Sequence, residues 1–268
     1  MRRIGGFWIC LAAVSVLVGA SGASASSTPA WWSCVKAEPK NAGHYSDKAC
    51  SSTVESGGKY ELQPGVGKGK GFKGTAGTVR FTQLNDTVEF VVECTKNKIS
   101  GGVLAPNKVV GVVMSLSKCT SKPFGIAKGC SITTKALSGE LGWINQAKNE
   151  AGLKLTSEAE PEAGVFAEVA GCFEKINLRV RGSLISPFGP VGVITKEPTL
   201  SSTTVNFLEG EPPHNARSNL WAFEGEEERH ILTAELHGPE PSEWVVPTPG
   251  AAALEATFHL KGEALLVK

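Results

Sequence analysis

Net charge, methionine and helical apolar stripes are what this sequence has little of. Its 27 basic and 26 acidic side chains leave a formal net charge of +1. That removes the basic footprint a nucleic-acid partner requires, so nucleic acid is excluded as a partner class. No window of useful length repeats apolar residues every 3.6 positions, and 31 Gly and 15 Pro stand against only 2 Met. Glycine and proline interrupt helices, so this usage predicts many short strands and turns. Two catalytic signatures are also missing: there is no G-x-S-x-G and no H-E-x-x-H. No cysteine pair has the C-x2-4-C spacing that brings two thiolates to one zinc ion. Neither a metal nor a cofactor is expected.

What is present begins with an export signal over residues 1–25. Arg2 and Arg3 form a positive start, Ile4 to Ala20 an apolar run diluted by Gly5, Gly6, Ser15 and Gly19, and Ala23-Ser24-Ala25 a small-x-small cleavage site that leaves Ser26 first. A spanning anchor is the weaker reading, because it needs about 20 strongly apolar residues. No membrane span is expected after signal removal. Cys10 leaves with the signal, so 6 of the 7 cysteines remain (7 minus 1) in a mature chain of 243 residues (268 minus 25). Such a chain is long enough for one sizeable core. It divides into a cysteine-closed segment, 26–59, and a β-rich body, 60–268.

The body's periodicity is that of half-buried strands. In Thr87 to Cys94, Val88, Phe90, Val92 and Cys94 share one face and Thr87, Glu89 and Glu93 the other. Val79 and Phe81 alternate in the same way, as do Ile176, Leu178 and Val180 with Asn177, Arg179 and Arg181. Thr203 to Phe207 and Phe258 to Lys261 alternate more weakly, and Leu153 to Thr156 and Val165 to Val169 are shorter runs bounded by glycines. Lys108 to Ser115 is nearly continuous β-branched sequence and reads as a strand covered on both faces. Helix is limited to a turn or two at Ile144 to Glu150. The fold class expected is all-β, an antiparallel β-sandwich or barrel-like body with disulfide-closed loops.

In an exported chain the six cysteines are expected to pair. Spacing does not choose among the connectivities six cysteines allow. Local arguments favour Cys34–Cys50, which flank a polar loop that would otherwise fray, and Cys119–Cys130, which flank a loop holding Pro123 and Gly125. Cys94 and Cys172 are then left to each other. Trp32, two residues before Cys34, is expected to pack on its bridge, and Trp143 to sit in the core.

Several blocks together resemble a group of secreted, functionally uncharacterised proteins of soil actinobacteria. They are Trp32-Ser33-Cys34, Gly43 to Cys50, Gly58-Lys59-Tyr60-Glu61, Leu137 to Asn145 with Cys119, Cys130 and Cys172, Arg181-Gly182-Ser183, and Gly262 to Leu265. The resemblance covers most of the mature chain. It implies an exported, bridged, β-rich protein and no particular activity. The acidic stretch Glu224 to Arg229 has no place in the pattern.

Candidate binding residues are few. Glu224 and Glu226 to Glu228 follow Trp221 and Phe223 and precede Arg229 and His230. Trp221, Trp244, Glu227 and His230 are the residues from which an acidic sugar or cation site beside aromatic platforms would be built. A charge run is, however, usually a solvated face. His214, His230, His237 and His259 read by default as surface histidines, and a metal site would have to assemble from distant positions. The glycine-rich stretch Gly65 to Thr75 fails the P-loop test, since Thr75 stands where that loop needs lysine. It reads as a flexible basic loop, and contact of Lys68, Lys70 and Lys73 with an anionic wall polymer is the lesser alternative.

Two functions follow as expectations. The first is a non-catalytic module of the extracellular space or cell envelope, binding a cell-wall component, a glycan or another protein. The second is a secreted hydrolase with a site of dispersed carboxylates and histidines such as Glu227 and His230.

Overall fold

The computed structural model describes residues 28–65, 71–85, 89–122, 129–161, 164–173, 176–202, 205–206, 217–218, 222–227, 230–237, 249–262 and 265–268. The segment expected to be an export signal, residues 1–25, and Lys68, Lys70, Thr87, Val88, Phe207, His214, Trp221, Glu228, Arg229 and Trp244 lie outside them. Among the described residues there is no helix, and the order of strands is as follows. The first seven are β1 (Trp31–Lys36), β2 (Gly43–Tyr45), β3 (Thr53–Gly58), β4 (Tyr60–Pro64), β5 (Gly71–Ala76), β6 (Val79–Asn85) and β7 (Glu89–Ala105). The next six are β8 (Lys108–Lys122), β9 (Ser131–Thr134), β10 (Leu137–Asn145), β11 (Glu150–Ser157), β12 (Val165–Phe173) and β13 (Ile176–Gly189). The last six are β14 (Thr199–Ser202), β15 (Val205–Asn206), β16 (Arg217–Ser218), β17 (Leu232–His237), β18 (Pro249–Lys261) and β19 (Leu265–Val267). The expected all-β antiparallel class is what the structure shows.

The body is built on four long strands, β7, β8, β13 and β18, of 17, 15, 14 and 13 residues. β7 and β8 pair directly along their length. Elsewhere the long strands change partner part-way, so short strands stack end to end between them. β8 pairs with β10 and then β9, β13 with β12 and then β11, and β10–β11 and β9–β12 join the two. β17 and β14 link β13 to β18, while β6 and β5 link β18 to β7. The order of pairings thus leads back to its start, which makes the body barrel-like.

Inward side chains fill this body. Leu137, Leu153, Leu155, Val180 and Leu184 are essentially inaccessible, each worth roughly 1.5–3 kcal/mol relative to exposure. The predicted alternation holds where it can be followed: Val79, Phe81, Val92, Cys94, Leu178, Val180, Phe258 and Leu260 are buried, with Arg80, Glu93, Arg179 and His259 between them more exposed.

Three expectations are corrected. Lys108 to Ser115 is not covered on both faces: in β8, Val109, Val112, Met114, Leu116 and Cys119 are buried while the residues between stay partly or fully exposed. The continuous apolar run arises because Gly111 (φ 60°) bulges the strand and moves burial from Val109 to Val112. Ile144 to Glu150 is a hairpin rather than helix: β10 runs to Asn145, Asn149 takes φ 55°, and its N–H donates to the Gln146 carbonyl.

The third correction concerns disulfides. Cys34–Cys50 forms as expected, but the other bridges are Cys94–Cys119 and Cys130–Cys172. Cys94 and Cys119 stand directly opposite in the β7–β8 register, their Cα atoms 4.0 Å apart. Cys130 lies just before β9 and Cys172 near the end of β12, two strands that pair. Register, a non-local property, overrides the loop flanks. Three bridges are consistent with an oxidising compartment.

A second sheet, in the order β19-β1-β4-β2-β3, caps one end of the body. It runs beyond residue 59 into β4 and takes its edge from the last strand. Trp31, 2% exposed, meets the Phe188 ring edge-on at 4.6 Å, and its backbone N–H donates to the Pro106 carbonyl at the β7–β8 turn. Trp32 points the other way, half-buried, with the Lys268 ammonium 4.1 Å above its ring.

Candidate functional site

The described part of the acidic stretch lies as a strap across the outer face of β10, β11 and β13. Its anchor is apolar. Phe223 packs against Gly142, where a Cβ would come within 2.3 Å of the ring, so only glycine leaves room. The Glu224 N–H donates to the Trp143 carbonyl, and its carboxylate accepts the Gln146 N–H at 2.5 Å. The strap also crosses at Gly182 (φ 97°), where a Cβ would lie 2.0 Å from the Ile231 carbonyl oxygen. The next residue's N–H, on Ser183, donates to that same oxygen.

A polar chain runs alongside. The imidazole of His230, 6% exposed, has Nδ1 3.0 Å from the Ser183 hydroxyl and Nε2 3.2 Å from Glu226 Oε2. The same Glu226 oxygen accepts the Phe223 N–H, and Glu226 Oε1 lies 3.9 Å from the Lys154 ammonium. Glu227 is the carboxylate expected beside His230; the structure brings Glu226 to it and leaves Glu227 exposed. Only spacing signals this in the sequence, since Glu226 and His230 are four residues apart. His259 is exposed on β18 and His237 half-exposed on β17, as expected of surface positions, whereas His230, expected at the surface as well, is buried because its imidazole sits between Ser183 and Glu226.

Serine, histidine and glutamate in hydrogen-bonded sequence are also the parts of a nucleophilic triad. In such a site the hydroxyl faces substrate beside free N–H donors. Here the N–H of Ser183 is spent on Ile231, and the histidine is covered by the strap. The arrangement acts as a clamp that satisfies the polar groups under the strap, as buried polar groups require.

Beside it, on β13 and β17, Arg179 and Arg181 both reach Glu235. Burial works against ionisation of this carboxyl, but the two guanidinium hydrogen bonds outweigh it and hold Glu235 below the usual glutamate range. Among the described residues, no group of three or more His, Cys, Asp or Glu side chains is placed to hold a metal ion. The glycine-rich stretch expected as a flexible loop is instead strand from Gly71 to Ala76 (β5), because its backbone pairs with β7 and β18, and it is followed by strand β6, with no helix N-terminus to receive phosphate.

Among the described residues, an interior cavity of about 20 Å³, room for about one water, has an apolar lining from Phe81, Met114, Phe166 and Leu254. A wider hollow, about 460 Å³ and open, lies where Lys118 to Thr120 face Gly129 to Ser131, beside two of the bridges. Comparison of the chain with protein-family models, curated proteins and solved structures finds no match.

Proposed function

We propose that this chain is an exported, non-catalytic module of the cell envelope or extracellular space, which binds a cell-wall component, a glycan or another protein on a disulfide-closed β-scaffold. The observation that carries this reading is the packed interior of a body held by two bridges, with a third bridge in the cap. A partner would be met on the surface of such a body, on the loops, the open hollow or the cap. Bridges suit such a scaffold because they restrict the unfolded chain where no chaperone repairs it.

A secreted hydrolase is the second reading, favoured by the Ser183–His230–Glu226 chain. One experiment separates the two. The mature protein is incubated with peptidoglycan and a glycan array, and both retention and release of soluble product are measured for the parent and for Ser183→Ala. Saturable retention without turnover supports the module; turnover abolished by Ser183→Ala overturns it in favour of the hydrolase.

A further inference from the structure

The cap has an outward face on which the chain gathers its scarce rings. The whole sequence holds 2 tyrosines, Tyr45 and Tyr60, and they are cross-strand partners on β2 and β4. Directly opposed residues of an antiparallel pair project from the same side. Tyr60 also pairs with Lys36, Leu62 with Cys34, and Pro64 with Trp32. Tyr45, Tyr60, Leu62, Lys36, Cys34 and Trp32 therefore share one face. It is the face turned from the body, because the alternate residues Trp31 and Ser33 are the buried ones. Tyr60 and Pro64 are four residues apart on β4, which places the tyrosine pair roughly 13 Å from Trp32 at about 3.3 Å per residue.

This face has a distinctive charge. Lys36 stands at the tyrosine end, and Lys268 lies over Trp32 at the other. Two nearby carboxylates are already engaged. Glu61 accepts the His44 N–H and faces its imidazole Nδ1 at 2.5 Å. Asp47 accepts N–H groups of Ala49, Ser51 and Ser52. Glu38 lies past the end of β1, while Glu55, on the neighbouring edge strand β3, is two residues from the Thr53 that pairs with Tyr45.

Half-buried ring faces with a cation at each end do not resemble the core of a protein interface, which needs contiguous exposed apolar area. Among the described residues the exposed large apolar side chains, Val193 and Ile231, are elsewhere. The pattern suits pyranose rings, whose C–H edges meet the negative face of an aromatic ring, in a chain that carries carboxylates.

We propose that the outward face of the cap binds an acidic, uronate-bearing polysaccharide. Its sugars stack on Tyr45 and Tyr60, and its carboxylates meet Lys36 and the Lys268 ammonium that lies over Trp32. This deepens the reading of the chain as a binding module and rests on it.

The test uses the mature protein in affinity electrophoresis and calorimetry with polygalacturonate, and with its methyl ester as a polymer of the same backbone without the charge. Peptidoglycan and a glycan array are run in parallel. The parent binds polygalacturonate more tightly than the ester, and less tightly as salt rises. Tyr45→Ala with Tyr60→Ala weakens binding at least tenfold. Lys36→Glu, an exposed substitution that leaves folding intact, weakens it several-fold and shrinks the preference over the ester. Parent-like binding by Lys36→Glu and by the folded tyrosine variant overturns the site while leaving the module reading standing. Equal binding of acid and ester, or binding only to other glycans of the array, overturns the acidic ligand. A parent that binds no polymer at all overturns the site and the cell-wall and glycan branches of the module reading.

Discussion

The body and the cap are both antiparallel sheet with disulfides, yet the bridges do different things in them. In the body, Cys94 and Cys119 are buried and join strands already paired over most of their length. Apolar side chains fix that region, and the bridge reinforces a hairpin that burial has specified. In the cap, Cys34 and Cys50 close a loop whose residues Lys36, Glu38, Lys40, His44 and Lys48 are exposed, and the sheet around it buries little beyond Trp31, Ala37, Leu266 and Val267. There the bridge stands in for a core. Small sheets with little to bury need such a staple, and large ones do not.

The contrast can be broken first at the contact between the two regions. Trp31→Ala removes the ring that meets Phe188 and is expected to cost about 3–5 kcal/mol, as large aromatic truncations do. Chemical denaturation should then show the cap melting ahead of the body. A single transition displaced as a whole would mean that the two are one cooperative unit.

Removing the cap's bridge sharpens the same contrast. Cys34→Ser with Cys50→Ser releases a loop of sequence separation 16 and should cost about 3 kcal/mol. Hydrogen exchange is expected to rise across residues 31–64 and to stay slow at Leu153, Leu155 and Leu184. Equal acceleration in the body would contradict the division between the two regions.

A smaller effect is expected at the clamp. Glu226→Gln weakens the hold on His230 and Lys154 and should lower stability by about 1 kcal/mol, with faster proteolysis confined to the strap. Unchanged proteolysis would show that the clamp does not hold the strap down.

The smallest effect is on pH dependence. Glu235 is held below its ordinary value of 4.5. A carboxyl depressed in the folded state stabilises above its unfolded value, and that contribution is lost as pH falls through the folded one. Acid unfolding below about pH 4.5 should therefore be shallower in Glu235→Gln than in the parent. Identical acid profiles would show that the two arginines do not set this carboxyl.

Much of the body was legible in the sequence because period-two patterning is local. Val79, Phe81, Leu178 and Val180 are buried on the predicted face. The β8 run misled because the bulge at Gly111 shifts the pattern without leaving an apolar gap. The bridges misled because Cys94 finds Cys119 through strand register, which no spacing rule contains. At the strap, His230 meets Glu226, four residues away, whereas Ser183 is 47 residues away in sequence and reaches it only through the fold. The tyrosine pair was invisible for the same reason: Tyr45 and Tyr60 meet only when β2 and β4 pair.

Non-reducing peptide mapping of the mature protein tests the central claim, that a bridged barrel-like body carries a separately stapled cap, most directly. Three linked peptide pairs are predicted, Cys34 with Cys50, Cys94 with Cys119 and Cys130 with Cys172. Free thiols at these positions, or a peptide linking Cys119 to Cys130, would contradict it.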